Sequence, residues 1–212
     1  MLKKLSYETL REAGSQEYVL ETAPERILQF GEGNFLRGFV DYFIDLLNEK
    51  QGFNSKIVVV QPIARGLAQE INSQNGLYQL YLRGIENGRK INKRRLISCI
   101  GRAINPYEDF QGFLQTAHNP EMRFIVSNTT EAGIAYDPNS GFDDAPPENF
   151  PAKLTRLLFE RFTAFEKAKG YIILSCELID NNGAELAKNV LRYADQWKLG
   201  NAFSDWIQQE NI

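Results

Sequence analysis

The 212-residue chain has the composition of an ordinary folded protein, with 43% hydrophobic and 24% charged residues. Its net charge of −3 favours neither nucleic acid nor an anionic membrane as a partner. Its two cysteines, Cys99 and Cys176, lack metal-ligand or CxxC spacing, and no apolar run approaches the ~20 residues that span a bilayer. The charged N-terminus lacks the apolar core of a signal peptide, so we expect a cytoplasmic protein.

The first part of the chain predicts a strand–helix–strand unit. Residues 26–30 are apolar-rich and are followed by a glycine, as a buried strand would be. Apolar residues then recur at helical spacing and predict one helix running to about Glu49. Its apolar face consists of Phe35, Phe39, Phe43 and Leu46 or Leu47. The β-branched stretch "KIVVVQP" (56–62) ends at a proline and predicts a second buried strand, which completes a right-handed βαβ unit.

The remainder predicts an antiparallel insertion followed by renewed alternation of strands and helices. Two extended runs within 78–100 flank Asn87-Gly88, a dipeptide that suits the tight turn of a hairpin. The later segments are a helix-like stretch (106–118), a strand (122–128), a polar loop (136–151), a helix (151–168), a strand (171–178) and a helix (184–197). This order predicts an α/β fold of Rossmann type, with a mostly parallel sheet, helices on both faces and a hairpin insertion.

Three polar or glycine-containing loops directly follow predicted strands. Their sequences are "GEGNFLR" (31–37), "SNTTEAG" (127–133) and "SCELIDNNG" (175–183). Ligands of open α/β sheets bind beyond the carboxyl ends of the strands, at the point where the strand order reverses. We therefore expect the three loops to converge in space around a ligand.

The first loop has features of a dinucleotide-binding turn. Gly31 would allow the tight turn, and Gly33 would let the backbone approach a pyrophosphate closely. A helix beginning near Asn34 would direct free N–H groups at that phosphate, and Arg37 would donate charge-assisted hydrogen bonds to it. Leu36 stands where the usual fingerprint has a third glycine. From the motif alone, a plain strand-to-helix turn remains an equal alternative.

Several sequence blocks resemble one family of dehydrogenases. The block "FGEGNFLRGF" resembles the Gly-x-Gly-x-Phe-x-Arg signature of the mannitol dehydrogenase family, the polyol-specific long-chain dehydrogenases. The blocks "VVVQP", "YLRGIENG", "SNTTEAGIAYD", "FPAKLTRLLFERF" and "CELIDNNG" are most similar to its tagaturonate reductase (altronate oxidoreductase) branch. The resemblance implies an N-terminal Rossmann domain that binds NAD. It also implies reversible reduction of D-tagaturonate to D-altronate by NADH in hexuronate catabolism.

The resemblance and the loop positions together give a set of candidate cofactor-binding residues. They are Gly31, Gly33, Asn34, Phe35, Arg37, Gln61, Asn128, Thr129, Thr130, Glu131, Cys176 and Glu177. Leu178 stands where the family's mannitol enzymes have an asparagine that helps to hold the reacting oxygen, so the resemblance does not supply that role here. No residue is a candidate metal ligand.

The end of the second predicted strand departs from the usual Rossmann pattern. An acidic residue there normally bonds the adenosine ribose, whereas this chain has Gln61. An amide bonds hydroxyl groups without repelling a 2′-phosphate, and nearby Arg65 would favour one. NAD is therefore expected from the resemblance, while the residues themselves leave NADP open.

No candidate proton donor is found in the sequence. Reduction of a ketone needs such a donor near the carbonyl oxygen. The family's donor is the lysine of a Lys-x4-Asn-x2-His motif in a helical C-terminal domain, and the single histidine, His118, has Gln115 and Phe110 at the other two positions. We expect residues 1–212 to form the N-terminal dinucleotide-binding domain without catalytic residues, with the C-terminal catalytic domain absent. The hexuronate would bind through that domain.

Other functions are compatible with the same pattern. A domain of a related mannonate, fructuronate or mannitol dehydrogenase is one alternative. A methyltransferase has a similar sheet but normally needs an acid where Gln61 stands. A nucleotide-sensing Rossmann module without enzymatic activity is the third possibility, although the two long polar loops after the later strands favour an enzyme.

Overall fold

Five parallel strands form the centre of the protein in a computed structural model, which describes residues 3–130, 133–166 and 168–211. Two further strands form a separate hairpin. In chain order the strands of both sheets are β1 (Glu25–Phe30), β2 (Lys56–Val60), β3 (Tyr78–Glu86), β4 (Arg89–Ile97), β5 (Ile100–Ile104), β6 (Phe124–Ser127) and β7 (Ile172–Ser175). The main sheet has the order β5-β2-β1-β6-β7, and every pairing in it is parallel. This order, with β1 between the two wings, confirms the predicted Rossmann-like fold.

Helices cover both faces of this sheet. They are α1 (Tyr7–Glu12), α2 (Asn34–Gly38), α3 (Val40–Gln51), α4 (Ala68–Ser73), α5 (Phe110–Gln115), α6 (Phe150–Ala164), α7 (Asn182–Gln196) and α8 (Asn201–Glu210). Along β1 the side chains alternate between two cores, since Leu28 and Phe30 face the core shared with α5–α8 while Ile27 faces the one shared with α2 and α4. The sequence did not predict α1, α4, α8 or the short strand β5.

The predicted hairpin is confirmed as a separate two-stranded sheet. Strands β3 and β4 pair antiparallel from Tyr78 opposite Ile97 to Glu86 opposite Arg89. Between them, Asn87 and Gly88 both have positive φ angles, of 52° and 75°. This is the conformation that a tight hairpin turn requires of its two central residues.

The segment after β1 differs from the single helix that the sequence predicted. The helix is broken at Phe39, whose φ of −118° and ψ of −70° separate α2 from α3. Its aromatic side chains face outwards, because Phe35, Phe39 and Phe43 are 49%, 51% and 48% exposed. We refer to these three side chains as the aromatic surface. The side of α3 that faces the protein interior is polar and buries Asp41, Asp45 and Asn48.

Two of these buried polar residues are fully bonded and tie α3 to its neighbours. The Asp45 carboxylate accepts hydrogen bonds from the Ser98 backbone N–H (2.8 Å) and the Arg95 guanidinium (2.8 Å). Asn48 exchanges two hydrogen bonds of 2.9 Å with the backbone of Ser55. We refer to Asp41, Asp45 and Asn48 as the polar seam. Buried polar groups are stable only with such partners, so the polar seam holds the hairpin and the start of β2 in register with α3.

Asp41 is the least well compensated member of the seam. Its carboxylate accepts one hydrogen bond from the Tyr78 hydroxyl at 3.0 Å. Burial raises the pKa of Asp41 to about 7, although the neighbouring side chains of Tyr78 and Gln29 and the charge of Arg37 oppose the shift. The folded protein therefore binds a proton at Asp41 under conditions in which the unfolded chain has released it.

We predict that this proton makes stability depend on pH. Between the unfolded pKa of 3.8 and the folded pKa of about 7, the folded state binds more protons, so the free energy of unfolding falls as pH rises. The contribution of one group is at most about 1.4 kcal/mol per pH unit. Asp41→Asn should remove it, and urea unfolding at pH 5 and pH 8 measures the change. An equal loss of stability between these pH values in both proteins would contradict the assignment.

Candidate cofactor-binding site

A cleft of about 610 Å³ opens beyond the carboxyl ends of β1 and β6. The chain proceeds from β1 to one wing of the sheet and crosses to the other wing at β6, so this edge is the switch point of strand order. The cleft is lined by 31–34 and Arg37 after β1, by Pro62, Ile63 and Leu67 after β2, by 128–130 and Gly133 after β6, and by 148–150 before α6. Both its position and its size suit a small-molecule ligand.

The two glycines of the first loop have different physical roles. Gly31 has a φ of +124°, and a Cβ atom there would lie 3.1 Å from Leu36 Cδ1 and 3.3 Å from the Asn128 carbonyl oxygen. The fold itself therefore requires a glycine at this position. Gly33 has an ordinary φ of −70°, and a Cβ atom there would meet no atom within 4 Å. Its missing side chain leaves open space in the cleft, as the close approach of a ligand requires.

The uncapped first turn of α2 and the side chain of Arg37 border this space. Within the described residues, no side chain caps the first turn of α2 at Gly33. Arg37 lines the same wall and donates a hydrogen bond from Nη2 to Asn34 Oδ1 at 2.8 Å. Its Nε is buried and has no partner among the described residues. The loop thus offers N–H donors and the Arg37 guanidinium, whose Nε has no partner, to an anionic ligand, which fits the pyrophosphate of a dinucleotide.

The second predicted loop (127–133) forms the opposite wall. Residues of the third predicted loop (175–183) accept hydrogen bonds from it. Asn128, Thr129 and Thr130 line the cleft. The Asn128 amide donates to the Cys176 carbonyl oxygen at 2.6 Å. The Thr129 backbone N–H and hydroxyl donate to Glu177 Oε1 at 3.0 and 3.2 Å. Cys176 and Glu177 do not line the cleft, so in this structure they support the loop that does.

The remaining candidates lie outside the cleft or outside the described residues. Phe35 belongs to the exposed aromatic surface and does not line the cleft. Glu131 falls outside the described residues. Gln61 is buried, its Nε2 donates to the Ile63 carbonyl oxygen (2.8 Å), and its Oε1 accepts from the Ala68 N–H (3.2 Å). Its amide fastens the loop after β2, so contact of Gln61 with a ribose stays a prediction that would require these bonds to break.

The sequence reasoning missed several cleft residues. Glu32, Pro62, Ile63 and Leu67 line it, and Glu32 lies within the Gly-x-Gly motif itself. The motif assigns a role only to its glycines, although an acidic side chain between them is a visible signal. The apolar residues after β2 were detectable from their place in the loop that follows a buried strand.

No activated nucleophile or histidine is found in the cleft within the described residues. Burial, followed by the charge of Glu177, raises the pKa of Cys176, which keeps its thiol protonated at neutral pH. His118 pairs with Glu160 at 2.6 Å, and neither residue lines the cleft.

The sequence matches a known family over most of its length. Residues 25–212 match the family described as the mannitol dehydrogenase Rossmann domain. The chain belongs to this family. Proteins named altronate oxidoreductase from Klebsiella pneumoniae subsp. pneumoniae and Escherichia coli O1:K1 are 56% and 55% identical to it over 191 residues. Those alignments cover 89% of this chain and 40% of each relative, so the chain spans well under half the length of these relatives.

Two solved structures share the fold of this chain. The Pseudomonas fluorescens mannitol 2-dehydrogenase, in ternary complex with NAD and D-mannitol, superposes with a TM-score of 0.79 at 22% identity, covering 99% of this chain and 45% of that one. A substrate-free D-sorbitol dehydrogenase superposes with a TM-score of 0.77 at 21% identity, covering 98% and 46%. No helix in the described part of the chain is both long and apolar enough to cross a bilayer.

We predict that Gly33 is required for cofactor binding and not for folding. The extended backbone at Gly33 accommodates valine, but the new side chain would occupy the open space beside Arg37. Gly33→Val should weaken NADH binding by at least about tenfold, or ~1.4 kcal/mol, in a fluorescence titration. Gly84→Val is the matched control, because a Cβ atom on Gly84 also meets nothing within 4 Å but lies on the hairpin. Unchanged affinity in a folded Gly33→Val protein would contradict the assignment.

Proposed function

We propose that this chain is the NAD-binding part of an altronate oxidoreductase, also called tagaturonate reductase. The observation that carries the proposal is the 56% identity over 191 residues to a relative of that name. The open space at Gly33 beside the Arg37 guanidinium, which lines the same cleft, supports NAD as the ligand. The reaction proposed is the reversible reduction of the ketone of D-tagaturonate to the alcohol of D-altronate, within hexuronate catabolism.

Each wall of the cleft has a proposed task. Gly33, the first-turn N–H groups of α2 and Arg37 hold the pyrophosphate through backbone and charge-assisted hydrogen bonds. Exposed Ile63 and Leu67 offer apolar contact to the adenine. The loop after β6, fixed by Glu177, orients the nicotinamide end. Bound NADH supplies the hydride for the reduction, and the protein's contribution in this domain is to position it.

We propose that the proton for the substrate oxygen comes from outside this cleft. The titratable side chains that line it in the described structure are Glu32, Arg37 and Glu148. An arginine keeps its proton at any working pH, and the family resemblance assigns the donor role to a lysine motif that residues 1–212 lack. We infer that a further domain provides the proton donor and the walls that bind the hexuronate.

The aromatic surface and the relatives' length support a further domain. Phe35, Phe39 and Phe43 form stacked and edge-on contacts with one another while about half of each ring is exposed. Clustered exposed aromatic rings mark a surface that another protein element covers. The matched relatives are more than twice as long as their aligned regions, which leaves ample chain for such an element.

Other readings have weaker support. A mannitol dehydrogenase has the same fold, but that neighbour is 22% identical whereas the altronate oxidoreductase is 56% identical. A mannonate or fructuronate enzyme or a nucleotide sensor would use the same cleft, and substrate assays separate them. We also propose a cytoplasmic location, which suits an enzyme of sugar-acid breakdown and the two free cysteines.

We predict that the 212-residue chain binds NADH but does not reduce tagaturonate. Loss of general acid catalysis alone typically lowers the rate by about 10²–10⁴-fold, and loss of substrate positioning lowers it further. The measurement follows NADH oxidation at saturating tagaturonate, with the full-length Klebsiella pneumoniae relative as the reference. NADH titration of the same protein sample controls for folding. Turnover within about tenfold of the reference would show that the proton donor lies within these residues.

A further inference from the structure

Glu32, the residue between the two glycines of the first loop, is a buried acid with one unused oxygen. It is only 9% exposed and lines the cleft. Its Oε1 accepts a long hydrogen bond, 3.4 Å, from the Leu67 backbone N–H. Its Oε2 is buried and has no partner among the described residues. A buried carboxylate oxygen is costly to leave unsatisfied, so its place in a ligand cleft indicates that a ligand completes its bonding.

The loop after β2 is shaped to receive this carboxylate. A Cβ atom on Gly66 would lie 2.1 Å from Glu32 Oε1 and 2.7 Å from the Gln61 side chain. Glycine at position 66 therefore lets the acid lie directly against the loop. Burial raises the pKa of Glu32, while the Leu67 N–H and the charge of Arg37 oppose the shift and favour the ionised form.

This location is next to the region where a Rossmann domain usually places its ribose-binding acid. That acid normally stands at the end of the second strand and accepts hydrogen bonds from the ribose hydroxyls. Here the corresponding position is Gln61, whose amide already bonds the backbone at Ile63 and Ala68. Glu32 reaches the same loop from the end of β1 instead.

We propose that Glu32 binds the adenosine ribose hydroxyls and excludes a 2′-phosphate, so that it selects NAD(H) over NADP(H). The unused Oε2 accepts the hydroxyl hydrogen bond. A phosphate at the same position would bring two negative charges against a buried carboxylate, and charge repulsion of this kind is an effective means of rejecting a competitor. The inference rests on the proposed binding of NAD in this cleft and names the residue that sets its selectivity.

The test compares the affinities of NADH and NADPH for the 212-residue chain by fluorescence titration. The wild-type protein should bind NADH at least about 100-fold more tightly than NADPH. Glu32→Gln keeps the shape but removes the charge, and it should reduce this ratio to below about tenfold, mainly through tighter NADPH binding. Glu70→Gln is the control, because Glu70 is an exposed acid of α4 outside the cleft. It should leave the ratio unchanged.

A second pair of probes assigns the effect to the adenosine end. Adenosine 5′-monophosphate and adenosine 2′,5′-bisphosphate lack the nicotinamide, and calorimetric titration should show the same shift in preference in Glu32→Gln. Circular dichroism shows whether the variant is folded. A folded variant that binds NADH and keeps the wild-type ratio would overturn the role of Glu32, as would a wild-type preference for NADPH. Failure of the wild-type protein to bind either dinucleotide would instead overturn the proposed function itself.

Discussion

The backbone turn at Gly31 is the constraint on which the cleft depends. Its N–H donates to the carbonyl oxygen of Val60 at the end of β2, and its own carbonyl oxygen accepts from the Gln29 side chain. The side-chain position faces Leu36 of α2 and the backbone of Asn128 after β6 at little more than 3 Å. With its positive φ, the position admits glycine and disfavours any other residue. One residue thereby sets the spacing of β1, β2, β6 and α2, whose ends form the walls of the cleft.

The polar seam of α3 has a comparable effect on the outer surface. Because Asp45 and Asn48 bond the hairpin and the start of β2, the helix is fixed with its polar side inwards. The aromatic surface must then point outwards, although its burial against the sheet would remove more apolar area from water. This orientation is stable because the buried polar groups have partners, except at Asp41, where the raised pKa records incomplete compensation. The protein thus retains an apolar face that is free for another element to cover.

The sequence was sufficient to predict the Rossmann-like arrangement and the hairpin, but not the direction in which several side chains point. Alternation of strands and helices predicted the Rossmann arrangement, and Asn87-Gly88 predicted the hairpin turn, because both signals are local. Strand β5 was missed because exposed Gly101 and Arg102 interrupt the apolar pattern in its middle. Helical spacing showed that Phe35, Phe39 and Phe43 share a face. It does not show whether that face is buried, which buried polar contacts distant in sequence decide.

The residues that line the cleft show the same division. The glycines of the first loop were predicted from their motif, whereas Glu32 was not, because the motif leaves its position unspecified. The loop after β7 was expected to line the cleft, yet Cys176 and Glu177 bond the back of the Asn128–Thr130 loop. Proximity of a loop to the end of a strand predicts the edge of the sheet on which it lies. It does not distinguish a residue that touches a ligand from one that supports a neighbouring loop.

The central claim is that the cleft at the ends of β1 and β6 holds a dinucleotide with its pyrophosphate against the Gly31 turn. A crystal structure of the chain grown with NADH tests it most directly. The account predicts the pyrophosphate within hydrogen-bond distance of the Gly33 backbone and Arg37, and the adenosine ribose beside Glu32. Density for NADH elsewhere on the protein, or a pyrophosphate without contact to Gly33 or Arg37, would contradict it.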